Sequence, residues 1–419
     1  MNDFWRYGLR FESKDKAFSI FVGGRFQFDV VEYLTTKEMR AHIIGTNPLE
    51  DGVSFRRIRF DMGGTLYTNI EYYAQVDFAN GFIATPDGKS LTNSTYPTDM
   101  WVQFKDLPFG GTIRVGNQKQ LYSFEHLVSS RFLPFLERSL GYDAFVEHFD
   151  NGFEPGITYL GTYADKQGTW GVGLFKTTRS PFGWNVGRNE AEVNGRITFL
   201  PMYEEDGKYL VHVGTGAGIR DLDQDQARFR SRLDIRNSPS TFSPLIAETG
   251  LFFGNHQQLI VPELVAVAGP WSFQSEYYGS WVGKAALPDA KGKPGPFMGT
   301  VFMQSAYGEI GYFITGEHRS YNRDTAVFGR VVPKRFFGWS KCGFTGWGAW
   351  QLMARYSYLD LNDKLINGGR VHDMTLGVNW YMNPNMKTQF NYFLAHRNVA
   401  DPGGDGYIQG FGVRLAIDF

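Results

Sequence analysis

The sequence predicts an all-β fold, a closed antiparallel β-barrel of about sixteen strands that crosses a membrane. Three observations predict it. Apolar and polar residues alternate with period two along segments long enough to span a bilayer, while helical periodicity is scarce. The connections between these segments alternate short and long, as in barrels with tight turns at one rim and extended loops at the other. The chain ends YIQGFGVRLAIDF, where Phe411, Val413, Leu415, Ile417 and Phe419 share one face up to the terminal carboxylate. A soluble chain seldom finishes on such a strand, because its exposed edge invites pairing.

Composition agrees. The 419 residues include 37 Phe, 22 Tyr, 10 Trp and 50 Gly, and the glycines follow no Gly-X-Y period, which excludes collagen. No run of 18 apolar residues exists, so no transmembrane helix is expected. Mean hydropathy is negative; lipid-facing and lumen-facing residues average out along barrel strands, so this does not exclude a membrane. A net charge of −1 disfavours a nucleic-acid partner. The lone Cys342 has no internal disulfide partner. The start MNDFWRYGLRF lacks the apolar core of a secretory signal. With the barrel reading, a removed leader is expected before Met1, and residues 1–17 form an N-terminal periplasmic segment ahead of a barrel over 18–419.

The elements follow in order. In FSIFVGGRFQFDV (18–30), Phe18, Ile20, Val22, Phe26, Phe28 and Val30 oppose Ser19, Arg25, Gln27 and Asp29. In LYTNIEYYAQVDF (66–78), Leu66, Ile70, Tyr72, Ala74, Val76 and Phe78 oppose Tyr67, Asn69, Glu71, Tyr73, Gln75 and Asp77. Strands are read at 18–30, 53–63, 66–79, 98–106, 110–118, 155–165, 168–177, 191–200, 208–220, 256–268, 270–282, 299–314, 346–359, 369–382, 385–398 and 406–419. Tight turns are expected between 63 and 66 (GGT), 165 and 168, 268 and 270, and 382 and 385; long connections at 31–52, 80–97, 119–154, 221–255, 283–298 and 360–368. Segment 315–345 is long yet falls on the short-turn side.

The basic residues then need a place. In RFRSRLDIR (228–236), Arg228, Arg230, Arg232, Arg236 and Asp234 share one parity. A closed single-chain barrel has an even strand count, so 221–255 is a loop rather than a seventeenth strand. Its arginine face cannot meet lipid, which leaves bulk water or the pore. In SFRRIRF, Arg57 and Arg59 share a face with Phe55 and Asp61, which points Arg56 toward lipid unless it snorkels at the rim or a bulge turns it inward. Alternation also places Arg25 and Arg114 in the lumen, with Lys105 and Arg196 as weaker candidates.

Nearly the whole chain resembles the phosphate-selective porin O and P family, through FSIFVGGRFQFD (18–29), SFRRIRFDMGGT (54–65), TGEHRSYNRDTAVFGRVVPKRFF (315–337), GWGAWQLMARYSYLDLND (346–363) and MTLGVNWYMNPNMKTQFNY (374–392). The resemblance implies a homotrimer in the bacterial outer membrane, bounded by lipid and passing phosphate or other small anions passively. It implies that a long loop folds inward as a constriction and that arginines line the pore. The loop 119–154 is then the constriction. Its Tyr122, Leu127, Phe132 and Phe135 suggest short helical turns around Pro134, and Arg131 and Arg138 project toward the eyelet. Arg56 and Arg57 match the family's paired arginines near the constriction; Arg59 stands where the family more often has an uncharged residue, and Arg114 where it tends to carry lysine. The arginine-rich loop 221–255 is expected to fold into the pore.

Catalysis is not expected. DLDQD (221–225) imitates a calcium loop, but Gln226 and Arg232 occupy the positions that need Gly and Glu. GTGAGIRD lacks the Lys of a phosphate-binding loop, and there is neither H-E-x-x-H nor G-x-S-x-G. No cofactor or metal is required. Two other readings keep the barrel: a general porin without phosphate preference, and a structural or docking barrel in a cell-envelope assembly. In the second, Lys334, Arg335, Phe336 and Phe337 meet a periplasmic or envelope partner.

Overall fold

The computed structural model describes the chain except residues 1–7, 42, 44–48, 80–82, 85–89, 92–94, 108–110, 148–151, 177–190, 238–243, 341–342 and 400–403. Cys342 and parts of the long connections 31–52, 80–97, 119–154 and 221–255 lie outside the described residues. The expected strands form, as β1 (Ser19–Tyr33), β2 (Gly52–Leu66), β3 (Ile70–Asp77), β4 (Tyr96–Leu107), β5 (Gly111–Lys119), β6 (Phe153–Tyr163), β7 (Gly168–Lys176) and β8 (Ala191–Glu204). The second half follows with β9 (Tyr209–Asp221), β10 (His256–Ala268), β11 (Trp271–Ala285), β12 (Gly299–Phe313), β13 (Ala349–Asp363), β14 (Ile366–Asn383), β15 (Met386–Asn398) and β16 (Gly406–Asp418).

Each strand pairs antiparallel with its neighbour in sequence, and β16 returns to β1, from Arg25 opposite Asp418 to Tyr33 opposite Gly410. The sheet is therefore a closed barrel of sixteen strands. Below the β16 contact, Leu9–Glu12 pairs with Ser19–Val22, so part of the N-terminal segment extends the sheet. The last residue completes the seam: Gly24 N donates to the Phe419 carbonyl at 2.8 Å, and Phe419 N donates to Gly24 at 3.1 Å. A Cβ at Gly23 would lie 2.4 Å from Phe419 O, so glycine is what admits the chain end.

The outer face is apolar along every strand, with Phe26, Phe60, Val102, Val172, Ile197, Leu264, Leu352 and Leu415 exposed. That is the pattern of a surface solvated by acyl chains. Two expected connections are corrected. The β2–β3 turn lies at Tyr67–Asn69, where Tyr67 and Thr68 have φ of 51° and 68°, while Gly63 and Gly64 are inside β2. A Cβ on Gly64 would sit 1.9 Å from Ser19 O; the glycine pair serves close strand approach rather than reversal. The expected long loop 360–368 is a two-residue hairpin, because β13 runs to Asp363 and β14 starts at Ile366. There too Gly368 is a packing glycine, with a Cβ that would meet Leu361 Cβ at 2.6 Å.

Two long connections fold into the barrel. Loop 120–152 forms short helical turns at Phe124–Leu127, Leu140–Tyr142 and Asp143–Glu147. Loop 222–255 forms two antiparallel steps, Gln226–Ala227 with Phe252–Phe253 and Arg230–Arg232 with Leu245–Glu248. Phe145 and Phe229 pack edge to face at 5.5 Å between them, and Phe145 stacks on Tyr278 of β11. Ile235, Val261, Met303, Leu359, Val371 and Phe393 are buried in the same cluster. The inner wall of β10–β15 is therefore partly apolar, because it packs on loops rather than water. From the other rim, a hairpin pairing Tyr321–Asn322 with Val327–Phe328 enters beneath Phe124, whose ring meets Phe328 at 5.1 Å.

Candidate pore and constriction

The open part of the lumen is a cavity of about 940 Å³ between β1–β8 and loop 120–152. Its wall begins with a displaced residue. Gln27 of β1 lies opposite Arg57, but Phe28 lies opposite Phe55, so Arg56 is the extra residue of a β-bulge. Arg56 and Arg57 thus both turn inward and are buried, while Phe55 turns out to lipid, 47% exposed. The expected face shared by Arg57, Arg59 and Phe55 is corrected accordingly. A strict strand would leave a guanidinium in hydrocarbon at a cost of about 2–4 kcal/mol near midplane, which the bulge avoids.

Loop 120–152 is pinned across the lumen by charge. Ser123 caps the Phe124–Leu127 turn by accepting from His126 N at 3.1 Å. The Glu276 carboxylate of β11 receives the Phe124 and Glu125 amides at 2.7 and 3.2 Å, the donors a helix start leaves unpaired. Further along, Glu137 gathers arginines from three places. Arg56 donates to it through two nitrogens at 2.7 and 2.9 Å, Arg414 of β16 at 3.0 Å and Arg57 at 3.5 Å, with Arg236 at 3.9 Å. Burial opposes its ionisation, but Arg56, Arg57, Arg236 and Arg414 outweigh that and hold the carboxyl well below the usual range. Glu125 behaves oppositely: burial pushes it up to about 7, against the pull of Arg355.

The arginine row 228–236 belongs to this bracing. Arg232 bonds Asp143 through its amide at 2.6 Å and also pairs with Glu147 at 3.2 Å. Arg236 reaches Asp143 and Glu147, each at 3.3 Å. Arg228 is half exposed and pairs with Glu248; Arg230 is partly buried beside it. Asp234 crosses to Arg355 of β13 at 2.5 Å. None of the four arginines is among the described residues that line the cavity. Only Arg230–Arg232 is extended, so the expected common face does not persist: the alternate residues Phe229, Ser231, Leu233 and Ile235 are buried as well. Of this row, Arg232 and Arg236 are taken up by the carboxylates of loop 120–152, while Arg228 pairs within its own loop.

Arg25, Arg56, Arg57, Arg114 and Arg131 do come together along the cavity. Among its described lining residues, eleven carry basic and six carry acidic side chains. Arg59 is neutralised by Asp77 at 2.6 Å and Arg131 by Asp61 at 2.6 Å. Four cations have only neutral acceptors among the described residues. Arg25 donates to Gln75 Oε1 and Ser129 Oγ at 2.9 and 3.3 Å. Arg114 donates to Gln103 at 2.9 Å, Lys119 to the His126 carbonyl at 2.6 Å, and Arg138 to the carbonyls of Glu125 and Val128 at 2.8 and 2.7 Å.

Sequence reading missed Lys119, Glu137, Arg355 and Arg414. The last two had a signal: Arg355 alternates with the exposed Leu352–Tyr356 face and Arg414 with Val413 and Leu415. Lys119 had none, because it ends β5 where the chain turns inward and parity no longer decides its direction.

Comparisons with known proteins agree with this architecture. The family phosphate-selective porin O and P matches residues 22–414. An uncharacterized protein of Caulobacter vibrioides is 27% identical over 435 residues, covering 99% of this chain and 76% of that protein. Porin O of Pseudomonas aeruginosa is 25% identical over 436 residues, covering 96% of this chain and 89% of that protein. Among solved structures, outer-membrane-expressed OmpT of Vibrio cholerae superposes with a TM-score of 0.53 at 10% identity, covering 98% and 100% of the two chains. The outer membrane channel DcaP of Acinetobacter baumannii gives 0.50 at 10% identity, covering 98% and 99%. A closed barrel with an apolar exterior, a cation-rich lumen and a family match over nearly its whole length belongs to the phosphate-selective porin O and P family, and it is a porin of the bacterial outer membrane.

Proposed function

We propose that this porin passes phosphate or related small anions passively, as a homotrimer, along the wall that carries Arg25, Arg56, Arg57, Arg114 and Arg131. One observation carries the reading: Arg25, Arg114, Lys119 and Arg138 face the cavity region with neutral acceptors in place of carboxylates. Guanidinium groups replace part of an anion's hydration shell, and several of them in sequence keep any one site weak enough to leave. The row 228–236 serves this path indirectly, by holding the constriction loop in place. Neither a cofactor nor a catalytic step enters.

The test is the reversal potential of the purified porin in a planar bilayer across a chloride gradient, with phosphate then added. Anion selectivity and suppression of chloride current by phosphate are expected. Arg25→Ala is expected to lower the chloride-to-potassium permeability ratio by about threefold or more, and Arg228→Ala to leave it unchanged. A cation-selective wild-type channel would overturn the reading. Anion selectivity without phosphate block would make it a general anion porin.

A further inference from the structure

Part of the cavity wall is aromatic. Phe21, Tyr73 and Trp101 form a strip of rings across β1, β3 and β4, on the short-turn side of Arg56 and Arg57. Their centroids lie 5.9 Å apart for Phe21–Tyr73 and 5.6 Å for Tyr73–Trp101, the latter stacked at 23°. Tyr73 is fixed by its hydroxyl, which donates to Asp61 at 3.2 Å and accepts from Gln75 at 2.9 Å. The Arg114 guanidinium carbon lies 4.2 Å from the Trp101 ring centroid. Its Nε is held by Gln103, and its two terminal nitrogens have no hydrogen-bond partner among the described residues. Tyr73, Trp101 and Arg114 all line the cavity.

Carboxylates share this wall as well. Glu71 is neutralised by Lys105 at 2.5 Å, and Asp99 faces the cavity. A multiply charged inorganic ion gains little here beyond what the arginines above supply. With Tyr73 stacked on one side of Trp101 and Arg114 over the other, a planar ring gains an edge-to-face contact with Trp101 and Tyr73, while an attached acid group meets the Arg114 fork. We propose that this wall is a binding site for anions that carry an aromatic ring, such as aryl phosphates and aryl carboxylates: the ring lies against Trp101 and Tyr73, and the acid group bonds Arg114. The inference rests on the anion-porin reading and narrows its substrate class.

Phenyl phosphate and inorganic phosphate are the probes, compared by the concentration that halves chloride current through the purified porin. Phenyl phosphate is expected to act at about tenfold lower concentration, the size of one good edge-to-face aromatic contact. Trp101→Leu should bring the ratio of the two concentrations close to one, whereas Trp101→Phe, which keeps a ring, should retain most of it. Arg114→Gln should weaken block by phenyl phosphate. Equal block by the two probes in an anion-selective wild-type channel overturns this inference alone, as does a ratio that survives Trp101→Leu. A cation-selective channel overturns the porin reading and this inference together.

Discussion

At the scale of single residues, the constriction is decided by which carboxylates have arginines around them. Glu137 has several and stays ionised far into acid: its contribution is present above the ordinary carboxylate value and is lost only as pH falls through its depressed one. Glu125 accepts the Ser139 amide at 3.0 Å and Arg355 at 3.3 Å, yet burial dominates. Its carboxyl rises from an ordinary 4.5 to about 7. The native state therefore holds the extra proton between those values. Glu125's contribution is full below about 4.5 and is lost as pH rises toward 7. Open-channel current noise, reporting movement of loop 120–152, should grow between pH 5 and pH 8, and Glu125→Gln should flatten that rise. Noise unchanged by pH in the wild type would remove Glu125 from loop control. The Arg56 bulge belongs to the same scale. One inserted residue moves a charge from the lipid face to the lumen, and strict alternation reads that position wrongly.

At the scale of elements, the two inward loops stand or fall together. Arg232 and Arg236 from one bond Asp143 and Glu147 from the other, and both sets are buried. Removing one partner of a buried ion pair typically costs about 3–5 kcal/mol, since the remaining charge stays unpaired. Arg236→Ala should therefore loosen loop 120–152, raising single-channel conductance and exposing loop 222–255 to limited proteolysis. Unaltered conductance and protease resistance would show that the apolar contacts around Phe145 and Phe229 suffice. The hairpin entering from the short-turn rim adds a third brace, with Arg196 donating to Ala326 O at 2.9 Å and pairing with Glu263 at 2.7 Å. Its length was legible in the sequence as an exception to the short-turn rule. Its inward course was not, because it depends on Arg196 and on His212, which meets the Tyr321 hydroxyl at 2.7 Å, both on strands distant in sequence.

At the scale of the whole molecule, closure depends on strands approaching where no side chain fits. Gly64→Val places branched atoms against Ser19 O in β1, where even a Cβ would lie at 1.9 Å. It should prevent the folded, heat-modifiable form on a denaturing gel, and a variant that still shows that form would place the β1–β2 seam under less constraint. Strand number, strand order and the lipid face were all readable in the sequence, because a period of two records which neighbour each side chain meets, and lipid and lumen are chemically opposite. The glycines at 63–64 misled for a physical reason: close backbone approach and chain reversal call for the same residue. By itself, then, the sequence determined that this chain is a sixteen-stranded barrel with basic residues inside it. Only the tertiary structure decided that Arg25 and Arg114 face the open cavity while Arg232 and Arg236 are locked to Asp143 and Glu147. Those carboxylates reach them by folding a distant loop across the lumen, and local alternation carries no record of a contact made between segments about ninety residues apart.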